Sequence, residues 1–145
     1  MSEAVTVGWR ETVALPEFGI ERIRAKIDTG ARSSSLHVDR QWRLQRDGQP
    51  WVGFEIRPRL GAEVVTVEAQ LVDERDVIDS GGHRVCRPFI RARMLLADVE
   101  REIELNLADR RGMRFPMLLG RQAMQERFIV DPSRSHLHRR KKSPE

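Results

Sequence analysis

Ala25-Lys26-Ile27-Asp28-Thr29-Gly30-Ala31 is the stretch on which the reading of this chain turns. Ile23, Ala25 and Ile27 alternate with Arg24 and Lys26, so apolar side chains fall on one face of a strand and charges on the other. That strand ends on an acid and turns at a glycine. Working outward, short alternating segments recur. Val65, Val67, Ala69 and Leu71 share a face between residues 64 and 72. Ile90, Ala92, Met94 and Leu96 do so with Arg91 and Arg93 facing away, and Ile103, Leu105 and Leu107 do so within a strand over 99–107. Residues 51–56 are expected to pair with 42–45 across Asp47-Gly48. Turn chemistry at 16–19, 47–48, 58–61, 80–82 and 111–112 separates the runs. The one helix expected is short, about 121–127, following Gly120. Many short strands, frequent turns and a late helix predict an all-β fold, a small closed antiparallel barrel with one short C-terminal helix.

Length and charge narrow the function classes. At 145 residues and 16.8 kDa the chain is one domain's worth, 39% hydrophobic and 33% charged, with 26 basic and 22 acidic residues for a net charge of +4. Residues 134–145 hold five of the basic residues and one acid, which leaves 21 of each in residues 1–133. The sequence pI near 10.1 therefore describes a tail, not a basic binding face. A domain over 1–137 followed by a disordered basic tail over 138–145 is expected. No apolar run approaches the roughly 18 residues of a membrane span, and the first six residues lack the layout of a secretory signal. With Cys86 as the single cysteine, no intramolecular disulfide can form, and a reducing, cytoplasmic location is expected.

The strand-acid-hydroxyl-glycine arrangement suits aspartic protease chemistry. A strand holds a carboxylate at a fixed height, the hydroxyl residue Thr29 ties down the loop, and Gly30 permits close backbone approach. Two such carboxylates must share a proton: one draws a proton from water while the other polarises the scissile carbonyl, and the pair titrates in two separated steps. Asp-Thr/Ser-Gly arises by chance in roughly one chain in twenty of this length, and Asp79-Ser80-Gly81 is a second copy. About 50 residues separate the two aspartates, half of what a lobe with its own core needs, so Asp79 reads as a turn or flap residue rather than a second catalytic acid.

Met117-Leu118-Leu119-Gly120-Arg121 leads from an apolar strand into the expected helix. Together with Asp28-Thr29-Gly30-Ala31 and the glycine-rich hairpin in mid-chain, it resembles the retropepsins, the single-lobe aspartic proteases that dimerise. The likeness extends through residues 7–11, 15–17, 25–37, 71–75, 87–90 and 117–135, about 7–137 in all. It points to the bacterial retropepsin-like proteases often filed as ATP-dependent zinc proteases, whose members are frequently associated with an ATP-grasp enzyme that ligates glutamate. The resemblance implies a homodimer with one Asp28 from each chain, acting on a peptide or isopeptide bond of a peptide or protein substrate. It also implies catalytic roles for Asp28, Thr29 and Gly30, and a flap around 79–87 carrying Ser80, Gly81 and Gly82.

Arg75, Arg84 and Arg87 flank that flap, and its polar character suggests an acidic substrate read by arginine–carboxylate pairs. Ala31, Arg32, Arg75, Ser80, Gly81, Gly82 and Arg87 are the expected substrate-binding positions. Arg32 has two readings, facing the substrate or pairing with an acid. Arg121 also has two, a helix-start salt bridge or a brace between subunits. His37, His83, His136 and His138 form no metal-binding pattern, and no nucleotide-binding glycine loop occurs, so neither metal nor cofactor is expected and ATP dependence would come from a partner. Ser33-Ser34-Ser35 lacks a nucleophile elbow and reads as a polar strand opening beneath the cleft. Cys86 reads as a small flap or strand residue, and Trp9, Trp42 and Trp51 as core or dimer-interface residues.

The rival is a non-catalytic module of the same barrel that holds an acidic peptide or a partner in its arginine-rich cleft. Nucleic-acid binding would rest only on Arg139, Arg140, Lys141 and Lys142, with no stacking aromatics, and is not expected.

Overall fold

Residues 3–59, 61–79, 81–109 and 114–138 of the computed structural model are described below. The last of the expected turns, Arg111-Gly112, and most of the basic tail lie outside them. Twelve strands and one helical turn follow in order: β1 (Val5–Gly8), β2 (Arg10–Leu15), β3 (Ile20–Ile27), β4 (Ser34–Val38), β5 (Arg40–Arg46), β6 (Gln49–Ile56), β7 (Val65–Gln70), β8 (Asp73–Ile78), β9 (Arg84–Leu96), β10 (Val99–Asp109), β11 (Met117–Leu119), α1 (Arg121–Met124) and β12 (Phe128–Asp131).

Six strands close into a barrel in the order β10-β4-β11-β3-β2-β9, with β9 pairing back to β10; β8 extends the sheet beyond β9. Closure removes the free edges that an open sheet would leave. Most pairings are antiparallel, as expected, but β10–β4 and β11–β3 are parallel. Strand β11 therefore lies between β3 and β4, parallel to one and antiparallel to the other, and fastens both sides of the Asp28 loop.

Alternation delivers the core. In β3, Ile20, Ile23, Ala25 and Ile27 are buried while Glu21, Arg24 and Lys26 are exposed. Leu15, Leu36, Ile90, Met94, Leu105 and Leu107 are fully enclosed with them. The meander β5-β6-β7 packs Val52, Phe54 and Ile56 against this core, and Phe18 meets Phe54 edge-on at 5.7 Å. Both residues of the β5–β6 turn, Asp47 and Gly48, have positive φ (52° and 76°), the backbone that matches the twist of a tight hairpin.

Three expectations change. Helix α1 ends at Met124 rather than near 127, because Glu126 takes a left-handed conformation (φ 72°) that no helix continues through. The tryptophans are half-buried, not core residues: Trp9 packs edge-on to Phe115 at 6.1 Å beneath Arg10, and Trp42 lies across Gly53 of β6. His138, assigned to the frayed tail, is hydrogen-bonded to the body through its N–H to Glu11 Oε1 (3.0 Å) and Nε2 to the Thr6 carbonyl (2.8 Å).

Strands β2 and β4 carry weak periodicity because polar groups occupy inward positions. Glu11 is fully buried in β2, and its carboxylate accepts N–H bonds from Gly8 (2.8 Å), Leu137 and His138 (3.0 Å each). In β4 all five residues are buried, including Ser34, Ser35 and His37, and each polar side chain has a partner.

Candidate active site

The Asp28 loop is built on backbone hydrogen bonds. At the end of β3, Ile27 N–H donates to the Trp9 carbonyl (2.8 Å) and Asp28 N–H to the Leu119 carbonyl of β11 (2.8 Å). The chain then turns: Ala31 N–H reaches back to the Asp28 carbonyl and Gly30 N–H to Asp28 Oδ1, both 3.1 Å. A Cβ at Gly30 would stand 3.3 Å from that Oδ1, the close approach anticipated for this glycine. Asp28 itself is half-buried, Thr29 and Gly30 are exposed, and among the described residues Asp28 enters no ion pair.

From below, the start of α1 braces the loop. Arg121 N–H donates to the Ala31 carbonyl (2.8 Å), Gln122 N–H to the Arg32 carbonyl (3.1 Å), and Arg121 Nη1 to the Thr29 carbonyl (2.9 Å). Within this chain Arg121 braces the Asp28 loop, and it enters no salt bridge among the described residues. Thr29 is held by its carbonyl, not by its hydroxyl, which makes no hydrogen bond among the described residues. Gly120 passes directly under the loop, where its N–H donates to Ser34 Oγ (3.0 Å).

Beside this loop opens a cleft of about 350 Å³. Its walls are Gly30, Ala31, Arg32 and Ser33 on one side, Asp76, Val77 and Ile78 of β8 on another, with Ser35, Arg87, Asn106 and Arg121 completing it. Ala31, Arg32 and Arg87, expected at the substrate, are thus brought together in one cleft; Asp28 is not among its lining residues but meets it through Gly30, whose N–H binds Asp28 Oδ1. Arg75 is not. It binds Glu104 through two nitrogens (2.8 and 3.3 Å), reaches Asp73 (3.3 Å) and lies over the Phe89 ring at 4.5 Å. Those bonds raise Arg75 above the ordinary arginine pKa and lower the Glu104 carboxyl. A guanidinium so neutralised has no charge to spare for a ligand.

Residues 79–87 form the turn between β8 and β9 and the start of β9, with Arg84 and Arg87, expected to flank a flap, on strand β9. Gly81 and Gly82 form its tip, where Gly82 adopts φ 82° and its N–H meets the Asp79 carbonyl (3.0 Å); neither lines the cleft, and Ser80 lies outside the described residues. Asp79 is a turn residue, as expected. Its Oδ1 accepts from His83 N–H (2.8 Å) and Gly81 N–H (2.9 Å), and these bonds, with Arg87 nearby, hold its carboxyl below the usual range. Exposed Cys86 sits on β9. No group of three or more His, Cys, Asp or Glu side chains is gathered for a metal ion among the described residues. Nor is any helix there long and apolar enough to cross a membrane.

Ser35, read as part of a polar strand opening beneath the cleft, does line it, and one cleft residue, Asn106, escaped the sequence reading. Ser35 and Asn106 are 7% and 2% exposed, and they stand opposite each other in the β4–β10 register. An asparagine amid the apolar alternation of β10 was the available signal, since a buried amide must be satisfied by specific partners.

A closed six-stranded barrel that presents an Asp-Thr-Gly loop between β3 and β4, locked by a Leu-Leu-Gly strand, defines an aspartic-protease-type domain. The family model described as "RimB-like: Retropepsin-like aspartic endopeptidase RimB" matches residues 6–141, and the chain belongs to that family. Curated relatives are named "Probable alpha-L-glutamate ligase". One from Desulfotalea psychrophila is 40% identical over 129 residues, covering 88% of this chain and 28% of the relative. One from Shewanella pealeana is 37% identical, covering 89% and 29%. A third, from Parasynechococcus marenigrum, is 37% identical over 138 residues, covering 94% and 30%. The chain thus spans less than a third of the length of these relatives. A crystal structure of a Legionella pneumophila protein of unknown function superposes with a TM-score of 0.79 at 27% identity, covering 93% of this chain and 98% of that one.

Proposed function

We propose that this domain is an aspartic-type peptidase that works as a homodimer, each chain contributing one Asp28 to a shared pair, and that it hydrolyses peptide or isopeptide bonds of glutamate-rich or glutamate-modified substrates. The observation that carries the reading is Asp28 itself: a carboxylate fixed at the cleft edge by backbone bonds on both sides of its loop and, among the described residues, engaged by no cation. In the dimer, water between the two carboxylates gives a proton to the ionised Asp28 while the protonated one donates to the scissile carbonyl. The water oxygen bonds to carbon, the C–N bond breaks, and a proton passes to the leaving amine. The hairpin β8–β9 excludes solvent.

Three cleft arginines, Arg32, Arg87 and Arg121, against one acid, Asp76, support an acidic substrate. The glutamate-ligase names of the relatives support the same choice, and support an ATP-grasp ligase system as a functional partner. The free thiol of Cys86 fits a reducing cytoplasm. Mass-spectrometric product analysis on glutamate-tailed and ordinary peptides tests the proposal. Asp28→Asn should lower turnover by at least ~10³-fold with the fold intact, and full activity in that variant sinks the assignment.

The cationic cleft also favours a second reading, a module that binds an acidic peptide without cleaving it. Glutamate-peptide binding with no product at any pH, with or without a ligase, would select it.

A further inference from the structure

The cleft contains a buried polar relay that the chemistry at Asp28 does not use. Asn106 is 2% exposed on β10, opposite Ser35 of β4 and Phe89 of β9. Its Nδ2 donates to the Ser34 carbonyl (3.1 Å), which fixes the orientation of the amide. Oδ1 is thereby presented to two donors, Ser35 Oγ (2.9 Å) and Arg87 Nη1 (3.2 Å). Both polar ends of this side chain are spent on holding one geometry, and the group at the cleft end of it is a guanidinium.

What matters is that this acceptor is neutral. Arg75 lies directly opposite Arg87 in the β8–β9 register, yet Arg75 is neutralised by Glu104 and Asp73. Arg87 enters no ion pair among the described residues. Of the acids that line a cleft with Arg87, Asp79 uses Oδ1 to cap the hairpin turn and meets the Arg87 charge only through space, and Asp76 faces Arg84 at 4.0 Å. An asparagine at 106 aims the guanidinium without cancelling its charge; an aspartate would pair that charge and would lose the donor that the Ser34 carbonyl accepts from.

We infer that Asn106 is a positioning residue that keeps Arg87 oriented in the cleft without a direct ion pair, and that Arg87 is the specificity-determining anchor for a carboxylate of the bound peptide. This deepens the proposed function by naming the residues that read its acidic substrate, and only its cleavage arm rests on that reading.

The test measures binding of fluorescein-labelled hexaglutamate and hexaglutamine peptides to the full chain carrying Asp28→Asn, so that no turnover is needed. Adding Asn106→Asp should weaken hexaglutamate at least tenfold and leave hexaglutamine within twofold, and Arg87→Gln should do the same. In the Arg87→Gln background, Asn106→Asp should change hexaglutamate binding less than twofold, because its effect passes through Arg87. Undiminished hexaglutamate binding in either variant overturns the inference, as does an equal loss for both peptides. If Asn106→Asp fails to fold, Ser35→Ala replaces it, with a smaller hexaglutamate-selective loss expected and no loss overturning the positioning role. With Asp28 restored, Asn106→Asp should act on KM for acidic peptides rather than on kcat. Intact charge-selective binding together with no cleavage by the unmodified chain would reject the peptidase reading and leave this inference standing.

Discussion

At Gly120 the chain runs so close to the Asp28 loop that an added Cβ would collide with the Ser33 carbonyl group and lie 2.9 Å from the Ala31 oxygen. Those neighbours are backbone and cannot swing aside. Gly120→Ala should therefore cost about 2–3 kcal/mol by urea denaturation, with the disturbance centred on residues 28–33. Unchanged stability would show that the loop yields there. The two Asp-x-Gly copies also separate at this scale. Asp28 follows an apolar strand fastened by β11, whereas Asp79 folds its own carboxylate into the next amides. Both keep an oxygen on a glycine N–H two residues on, so the tripeptide alone did not distinguish them; the strand before it and the Leu-Leu-Gly strand far downstream did.

Elements show where charge is structural. The outer faces of β5, β8, β9 and β10 carry a lattice of arginine–carboxylate pairs, including Arg43–Glu74 (2.5 Å), Arg93–Glu100 (3.3 Å) and Arg46–Glu68. Exposed pairs of this kind each contribute little. Arg75–Glu104 is better enclosed, and it ties β8 to β10 across β9. Because the Arg75 bond holds the Glu104 carboxyl below its ordinary value of 4.5, the unfolded state binds more protons as pH falls. The pair's contribution is fully present above that value and is lost as pH drops through the lowered one. Stability curves of the natural chain and Glu104→Gln should differ by up to about 1 kcal/mol at pH 7, and converge in acid as the lowered Glu104 carboxyl takes up its proton. A gap that stays constant or widens in acid would refute the linkage. The sequence located β3, β6, β7, β9 and β10 because their apolar residues alternate cleanly. It missed β2 and read only the polar opening of β4, because Glu11, Ser35 and His37 sit inward, satisfied by partners as distant in sequence as Leu137 and Asn106.

For the whole molecule, one barrel offers one Asp28, and the proposed chemistry needs two. Sedimentation equilibrium should then show a reversible dimer, and mixing with excess Asp28→Asn chain should depress activity beyond simple dilution, because mixed dimers hold a single working carboxylate. A strictly monomeric chain that cleaves peptides would overturn the shared pair. The relatives are more than three times as long, so the barrel recurs as a part of larger chains named for glutamate ligation.

By itself the sequence determined the class of fold and the place of the candidate acid, since period-two alternation and a strand-Asp-Thr-Gly turn are local patterns carried by neighbouring residues. Only the tertiary structure decided which arginines are paired with a carboxylate. Arg75 and Arg87 read alike along the chain; closure of the barrel sets one against Glu104 and the other against the amide of Asn106, and that pairing depends on strand register that no local pattern encodes.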